Sequence, residues 1–270
     1  MSTSAAWIWT FGYDYLAHVW LEGPLRLHED ALVPWISNLG QLDAGLSRDV
    51  ALVVRCLDDP AELEAAKRDF QGCVVVPLPG RYVPPYASVY LDASRALWGT
   101  VTERVLSWYD EADLDWVSSS SRHPWVRAPD HLGVECAFAA ELWAASEDGR
   151  PPMTDLGEAF VAGHLPEWVP RYAAEMRDRT TSSYWRGMAH FLEGWVQASA
   201  LAFSDPTRAH TGHLATDGAT RDDQPPARPG HRPVVGSRQL PGPGRPAPPA
   251  GSLPVAPAGY LDRRGERAPT

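Results

Sequence analysis

The chain has 270 residues, of which 44% are hydrophobic, 21% charged and 10% aromatic. That is enough to bury one large core or two small ones, which excludes a small scaffold that depends on disulfides for its stability. Residues 206–270 differ from the rest, because they hold 13 of the 26 prolines, 9 of the 22 glycines and none of the 12 tryptophans. We therefore expect a folded domain over residues 1–205 and a disordered tail over 206–270.

The charge is divided unevenly between these two parts. The tail has 9 arginines against 5 acidic residues, so the net charge of −10 leaves −14 on residues 1–205. An acidic domain repels phosphate backbones and anionic lipids, which argues against binding to nucleic acid or to a membrane surface. No apolar stretch approaches the about 18 residues of a membrane span, and the N-terminus has no secretory signal pattern. The three cysteines are widely spaced, which is typical of a reducing compartment. We expect a cytoplasmic protein.

Hydrophobic residues at spacings of three and four predict helices along most of the folded part. The predicted helices span residues 7–22, 29–46, 49–57, 60–70, 99–112, 129–147, 155–164, 166–176 and 182–203. The helix that begins at Pro129 is apolar on almost every side, which is typical of a central helix. Strand patterns do not recur at the density of an α/β or all-β fold. The sequence predicts one compact all-α domain.

Residues 72–90 interrupt the helical pattern with four prolines, and we predict a loop or short extended segment there. Tyr82, Tyr86, Tyr90 and Trp98 lie inside this loop or just after it. Aromatic residues on a proline-fixed loop are expected to stay partly exposed and to grip an apolar peptide. The alternative is that they fold back onto the helices as core.

The patterns of common catalytic sites are missing. The sequence has no glycine-rich phosphate loop, no Gly-x-Ser-x-Gly and no His-Glu-x-x-His, and its only lysine, Lys67, lies in a charged helix. His131 and Glu135 are one helical turn apart and could supply two metal ligands, but no third ligand is identifiable. We expect a protein that is not an enzyme and that needs neither a metal nor another cofactor.

Four segments, in this order, resemble the TorD/DmsD/NarJ family of redox-enzyme maturation chaperones. They are Val83-Pro84-Pro85-Tyr86-Ala87-Ser88-Val89-Tyr90-Leu91-Asp92, Leu97-Trp98-Gly99, Ala128-Pro129-Asp130-His131-Leu132-Gly133-Val134-Glu135 and His164-Leu165-Pro166-Glu167-Trp168-Val169-Pro170. The resemblance implies an all-α cytoplasmic chaperone. Such a protein binds the twin-arginine signal peptide, or another N-terminal segment, of the catalytic subunit of a molybdopterin oxidoreductase. It supports folding, cofactor insertion and proofreading before export, and a homodimer is left open.

The resemblance also implies a peptide-binding site, when the family's binding residues are matched to this sequence by position. Its residues are Tyr86, Ser88, Tyr90, Trp98, Asp130 and His131.

In this hypothesis Asp130 accepts hydrogen bonds from an arginine of the signal peptide, because a carboxylate matches the planar guanidinium. His131 forms a hydrogen bond with the peptide backbone or orients Asp130, while the aromatic side chains line the groove that holds the apolar stretch of the signal peptide. The alternative role for Asp130 is to stabilise the start of the helix that Pro129 opens. Two rival functions are a subunit-bridging assembly factor that reads no signal peptide and a metal-dependent hydrolase built on His131 and Glu135.

Overall fold

The computed structural model describes residues 6–24, 29–116, 123–147, 155–204 and 262–263. The helices are α1 Ala6–Glu22, α2 Glu29–Leu42, α3 Ala44–Cys56, α4 Pro60–Asp69, α5 Ala87–Leu91, α6 Thr100–Glu111, α7 Leu132–Glu147, α8 Leu165–Arg179 and α9 Ser183–Ser204, with π-helical turns at Phe70–Val75 and Glu158–His164. The predicted all-α fold is confirmed. Two strands of two residues each, β1 Leu114–Asp115 and β2 Asp262–Arg263, pair antiparallel. Apart from β2, the predicted tail over 206–270 lies outside the described residues.

Helix α7 lies at the centre of the domain and packs along α1. Its side chains Val134, Cys136, Phe138 and Leu142 are fully buried, which confirms the central helix. A Cβ atom on Gly133 would lie 2.6 Å from Leu21 Cγ, so glycine at this position allows the two helices to approach closely.

An aromatic cluster joins α9 to the N-terminal helices. The ring of Trp195 lies 4.6 Å from Trp9 and 5.8 Å from Trp35 between centroids. Gly12 makes room for it, because a Cβ atom there would come within 2.1 Å of the Trp195 ring. Large rings packed this way each bury a large apolar area, which stabilises the domain.

The predicted break between the second and third helices was misplaced. The sequence suggested one helix over 29–46, whereas the chain breaks at Asp43. The Oδ1 atom of Asp43 accepts hydrogen bonds from the Gly45 amide at 2.8 Å and the Leu46 amide at 2.9 Å. Asp43 is therefore the N-cap of α3, and its carboxylate fixes the helix start in the middle of the predicted helix.

The predicted start of α7 at Pro129 was also wrong, and the predicted loop or short extended segment over 72–90 is shorter at both ends, since the π-helical turn runs to Val75 and α5 begins at Ala87. Helix α7 begins at Leu132, because the residues before it pair with the end of the proline-rich loop. The Ala87 amide donates to the Asp130 carbonyl at 3.0 Å, and the Leu132 amide donates to the Pro85 carbonyl at 2.8 Å. Residues 85–87 and 130–132 thus form a short antiparallel crossing, from which α5 and α7 both depart.

Candidate functional site

This crossing brings four of the six predicted site residues together. Tyr86 and His131 face each other in an isolated β-bridge, while Ser88 and Asp130 lie beside them. Tyr90 is two residues after Ser88 on α5, and Trp98 follows that helix before α6 begins. Residues 86 and 88 are thus neighbours of residues 130 and 131 in the fold, although the two pairs lie some 40 positions apart in the sequence.

Asp130 is fully buried and holds the start of α5. Its Oδ2 atom accepts a hydrogen bond from the Ser88 amide at 2.8 Å, and its Oδ1 atom accepts one from Thr102 Oγ1 at 3.2 Å. A carboxylate at a helix N-terminus satisfies free amide groups and interacts favourably with the helix dipole. The structure gives Asp130 the helix-terminus role that sequence left as the alternative, but at α5 rather than at α7.

Tyr86 and Tyr90 fold back onto the core. The Tyr86 hydroxyl donates to the Trp125 carbonyl at 3.2 Å and accepts from the Arg127 amide at 3.0 Å. The Tyr90 ring stacks on Trp168 at 5.7 Å. Both side chains are buried, and desolvation raises the pKa of both hydroxyls. The expectation that the loop aromatics stay partly exposed is therefore wrong for these two residues, because their hydroxyls find partners inside the protein.

Trp98 is the most exposed of the four predicted aromatic residues, and Tyr82 is partly exposed. The Trp98 side chain is 55% exposed, and its backbone is in the left-handed region with φ of 64°. A bulky residue there is strained and persists only where its surroundings hold it. The indole Nε1 donates to the Arg127 carbonyl at 3.1 Å, and the ring lies 5.9 Å from that of Trp116. We call Trp98 and Trp116 the aromatic shelf.

His131 is buried without a partner for one of its ring nitrogens. Its Nδ1 atom accepts a hydrogen bond from the Gly133 amide at 3.1 Å, and within the described part of the chain Nε2 has no hydrogen-bond partner. Burial, with a smaller contribution from His123, lowers the pKa of His131 to about 3. The imidazole is therefore neutral at physiological pH.

This burial predicts a dependence of stability on pH. The unfolded histidine takes up a proton below its ordinary pKa of about 6.5, whereas the folded one does not, so stability falls as the pH drops from there towards 3. Relative to His131→Asn, which keeps an acceptor for the Gly133 amide, the wild-type free energy of unfolding should fall by about 2 kcal/mol between pH 7 and pH 5. Urea melts at both values test this, and parallel curves for the two proteins would contradict it.

Glu135, on the next turn of α7, belongs to a different buried network. Its Oε1 atom lies 2.9 Å from His164 Nε2, and its Oε2 atom accepts from Trp168 Nε1 at 3.1 Å. Burial raises the pKa of Glu135, and the neighbouring His164 opposes that rise. His131 and Glu135 thus have separate partners, which counts against a metal site built on this pair. In the part of the chain that the structure describes, no cluster of three or more His, Cys, Asp or Glu residues could hold a metal ion.

Sequence reasoning missed Thr102 and Trp116. Thr102 lies on α6 and bonds Asp130 from a distance of 28 positions, so no local pattern connects them. Trp116 had a usable signal, because it directly follows the acidic run Asp110-Glu111-Ala112-Asp113-Leu114-Asp115, where an aromatic residue stands out.

Comparison with known proteins agrees with the resemblance seen in the sequence. A family model described as nitrate reductase delta subunit matches residues 39–174. The chain is 25% identical to chaperone protein TorD of Psychrobacter sp. (strain PRwf-1) over 131 residues, which cover 47% of this chain and 57% of that protein. It is 26% identical to the Tat proofreading chaperone DmsD of Salmonella typhi over 162 residues, which cover 60% of this chain and 69% of DmsD.

Both curated relatives are named chaperones, which agrees with the expectation of a protein that is not an enzyme. Among the described residues, no helix combines the length and the apolar character that a membrane span requires. The family match covers half of the chain and includes the crossing, α5, Trp98 and the network of Glu135. By this match the chain belongs to the nitrate reductase delta subunit family, the group of the TorD and NarJ chaperones.

Proposed function

We propose that this protein is a cytoplasmic chaperone that binds the N-terminal signal or leader segment of the catalytic subunit of a molybdopterin oxidoreductase. In this role it supports folding of that subunit, insertion of its cofactor and proofreading before export. The names of the two relatives support this proposal, since one is a TorD chaperone and the other a proofreading chaperone of the twin-arginine pathway.

The observation that carries the proposal is the exposed and strained Trp98. An indole held in the left-handed region at 55% exposure costs stability, which is often accepted where a side chain has a binding role. The flat ring could receive an apolar side chain or the guanidinium of an arginine. Asp110, Glu111 and Asp113 are exposed on the segment that leads to Trp116, and such acids favour a cationic peptide.

The other predicted site residues are buried and hold in place the backbone segments next to Trp98. Asp130 fixes Ser88 and the start of α5, while Tyr86 bonds both ends of the segment from Trp125 to Arg127 that Trp98 also touches. We propose that Tyr86, Ser88, Tyr90, Asp130 and His131 position the loop, and that Trp98 contacts the peptide. Direct pairing of Asp130 with an arginine would require its bonds to Ser88 and Thr102 to open.

Replacing Trp98 tests the proposal. Trp98→Ala should weaken binding of a synthetic peptide with two adjacent arginines and a following apolar stretch by about 1–3 kcal/mol, the scale of an interface hot spot. The stability of the variant should stay within about 1 kcal/mol of wild type, because the side chain is mostly exposed. Calorimetry measures the first quantity and urea melts the second.

Leu201→Ala is the matched control for Trp98, since Leu201 is 61% exposed on α9 and removed in sequence from the crossing. It should leave peptide binding unchanged. Wild-type affinity in Trp98→Ala, or an equal loss in Leu201→Ala, would contradict the placement of the site. Equal binding of a peptide whose arginines are replaced by glutamine would favour the subunit-bridging assembly factor.

A further inference from the structure

The strand β2 comes from the far end of the chain and lies against β1, next to the aromatic shelf. The two strands pair antiparallel, with Arg263 opposite Leu114 and Asp262 opposite Asp115. Leu114 is buried, so β1 is fixed to the domain and offers its backbone at a constant position. Trp116 follows β1 directly and contacts Trp98. The C-terminal strand therefore lies beside the surface that we propose for the signal or leader segment of the partner subunit. We call that segment the client peptide and its binding surface the client site.

The sequence around β2 has the chemistry that the client peptide needs. Residues 259–267 read Gly-Tyr-Leu-Asp-Arg-Arg-Gly-Glu-Arg, and Arg263-Arg264 is the only pair of adjacent arginines in the chain. Tyr260 and Leu261 supply an apolar part directly before the acidic and basic residues. This segment thus shares the pair of arginines with the ligand proposed above, although its apolar side chains precede the arginines instead of following them.

Charge also favours this placement. Residues 206–270 carry a net charge of +4, whereas the preceding 205 residues carry −14. The segment that carries β1 is itself strongly acidic, with Asp110, Glu111, Asp113 and Asp115 in six positions. Opposite net charges raise the local concentration of the tail near β1, whereas Asp262 and Asp115, which lie directly opposite each other, repel. Backbone pairing over two residues is weak by itself, so an occupant held this way can be displaced.

We propose that the segment that carries β2 acts as an internal occupant of the client site, pairing with β1 through its backbone and competing with the arginine-bearing peptide. The inference rests on the proposed function, because it assumes that the client binds at the aromatic shelf. A tethered segment needs little intrinsic affinity, since the chain keeps its effective concentration high. The client must then displace the tail, which restricts binding to peptides that match the site better than the chain's own arginines do.

The test compares full-length proteins that differ only in tail arginines. Arg263→Gln with Arg264→Gln should bind the twin-arginine peptide at least about fivefold more tightly than wild type, because an occupied site lowers the apparent affinity by the fraction that is free. Arg228→Gln with Arg232→Gln removes the same charge elsewhere in the tail and should bind like wild type. A synthetic peptide of residues 257–268, added to the Arg263/Arg264 variant, should compete with the client peptide. Equal client affinity in all three proteins would overturn the inference and leave the proposed function standing.

Hydrogen exchange of the backbone amides of residues 114–116, measured without the client peptide, tests docking of the tail separately from the proposed function. These amides should exchange more slowly in wild type and in the Arg228/Arg232 control than in the Arg263/Arg264 variant. Equal exchange in all three proteins would overturn docking of the tail. If exchange differs as expected but the client peptide binds none of the proteins, the proposed function fails and the tail contact remains.

Discussion

Replacing Glu135 by alanine should lower the free energy of unfolding by about 3–5 kcal/mol, because two buried hydrogen bonds are lost and a cavity is left in the core. Both carboxylate oxygens of Glu135 are engaged, one near His164 Nε2 and one with Trp168 Nε1. Alanine would leave both nitrogens buried without an acceptor and would also leave a cavity in the centre of the domain. Urea melts near pH 7 measure the loss.

Two control variants separate the hydrogen bonds from other effects. Glu135→Gln keeps the volume and an acceptor oxygen, so it should cost less than half as much as alanine. Glu111→Ala removes an exposed carboxylate and should change stability by no more than about 0.5 kcal/mol. Equal losses in the alanine and glutamine variants would contradict this explanation. They would show that the negative charge of Glu135 accounts for the stability, and not the volume of the side chain or its hydrogen bonds.

The helical fold could be predicted because helices leave a local signal. The apolar side chains of α7 repeat on nearly every face, which indicates a central helix, and the close packing of Gly133 against Leu21 agrees with it. The break at Asp43 was missed, although an aspartate is a strong N-cap. The apolar pattern continues through Leu46, and a single cap can override periodicity when its carboxylate bonds two amides.

The crossing between residues 85–87 and 130–132 could not be predicted from local pattern. Its hydrogen bonds join amides and carbonyls of segments more than 40 positions apart, and backbone pairing over so few residues leaves no alternation in the sequence. The pairing explains why the helix start moved from Pro129 to Leu132. It also explains why Asp130 serves α5, since the crossing carries its carboxylate to the Ser88 amide.

The division between buried and exposed aromatics was also beyond the sequence. Tyrosine suits either a binding surface or a core where its hydroxyl finds a partner, and composition does not decide between them. Tyr86 finds the Trp125 carbonyl and Tyr90 lies against Trp168, so both are buried. Trp98 is exposed, and its backbone lies in the left-handed region before α6, which no residue pattern predicts.

The second large effect is expected at Asp130. Replacing Asp130 by alanine should lower the free energy of unfolding by about 3 kcal/mol. The Ser88 amide and the Thr102 hydroxyl would lose their acceptor inside the protein. Asp130→Asn keeps one acceptor oxygen and should cost about 1 kcal/mol. Urea melts of the two variants measure these losses, and a loss below about 1 kcal/mol for alanine would show that water reaches the freed groups.

The same asparagine variant distinguishes a positioning role for Asp130 from direct recognition of arginine. Wild type and Asp130→Asn are each titrated with the twin-arginine peptide and with the same peptide carrying glutamines, and the four affinities form a double-mutant cycle. Because both oxygens of Asp130 are engaged inside a fully buried site, we expect a coupling energy close to zero. A coupling of about 1 kcal/mol or more would mean that the carboxylate exchanges Ser88 and Thr102 for a guanidinium when peptide binds. In that case α5 must move on binding, since the Ser88 amide would lose the acceptor that now holds it.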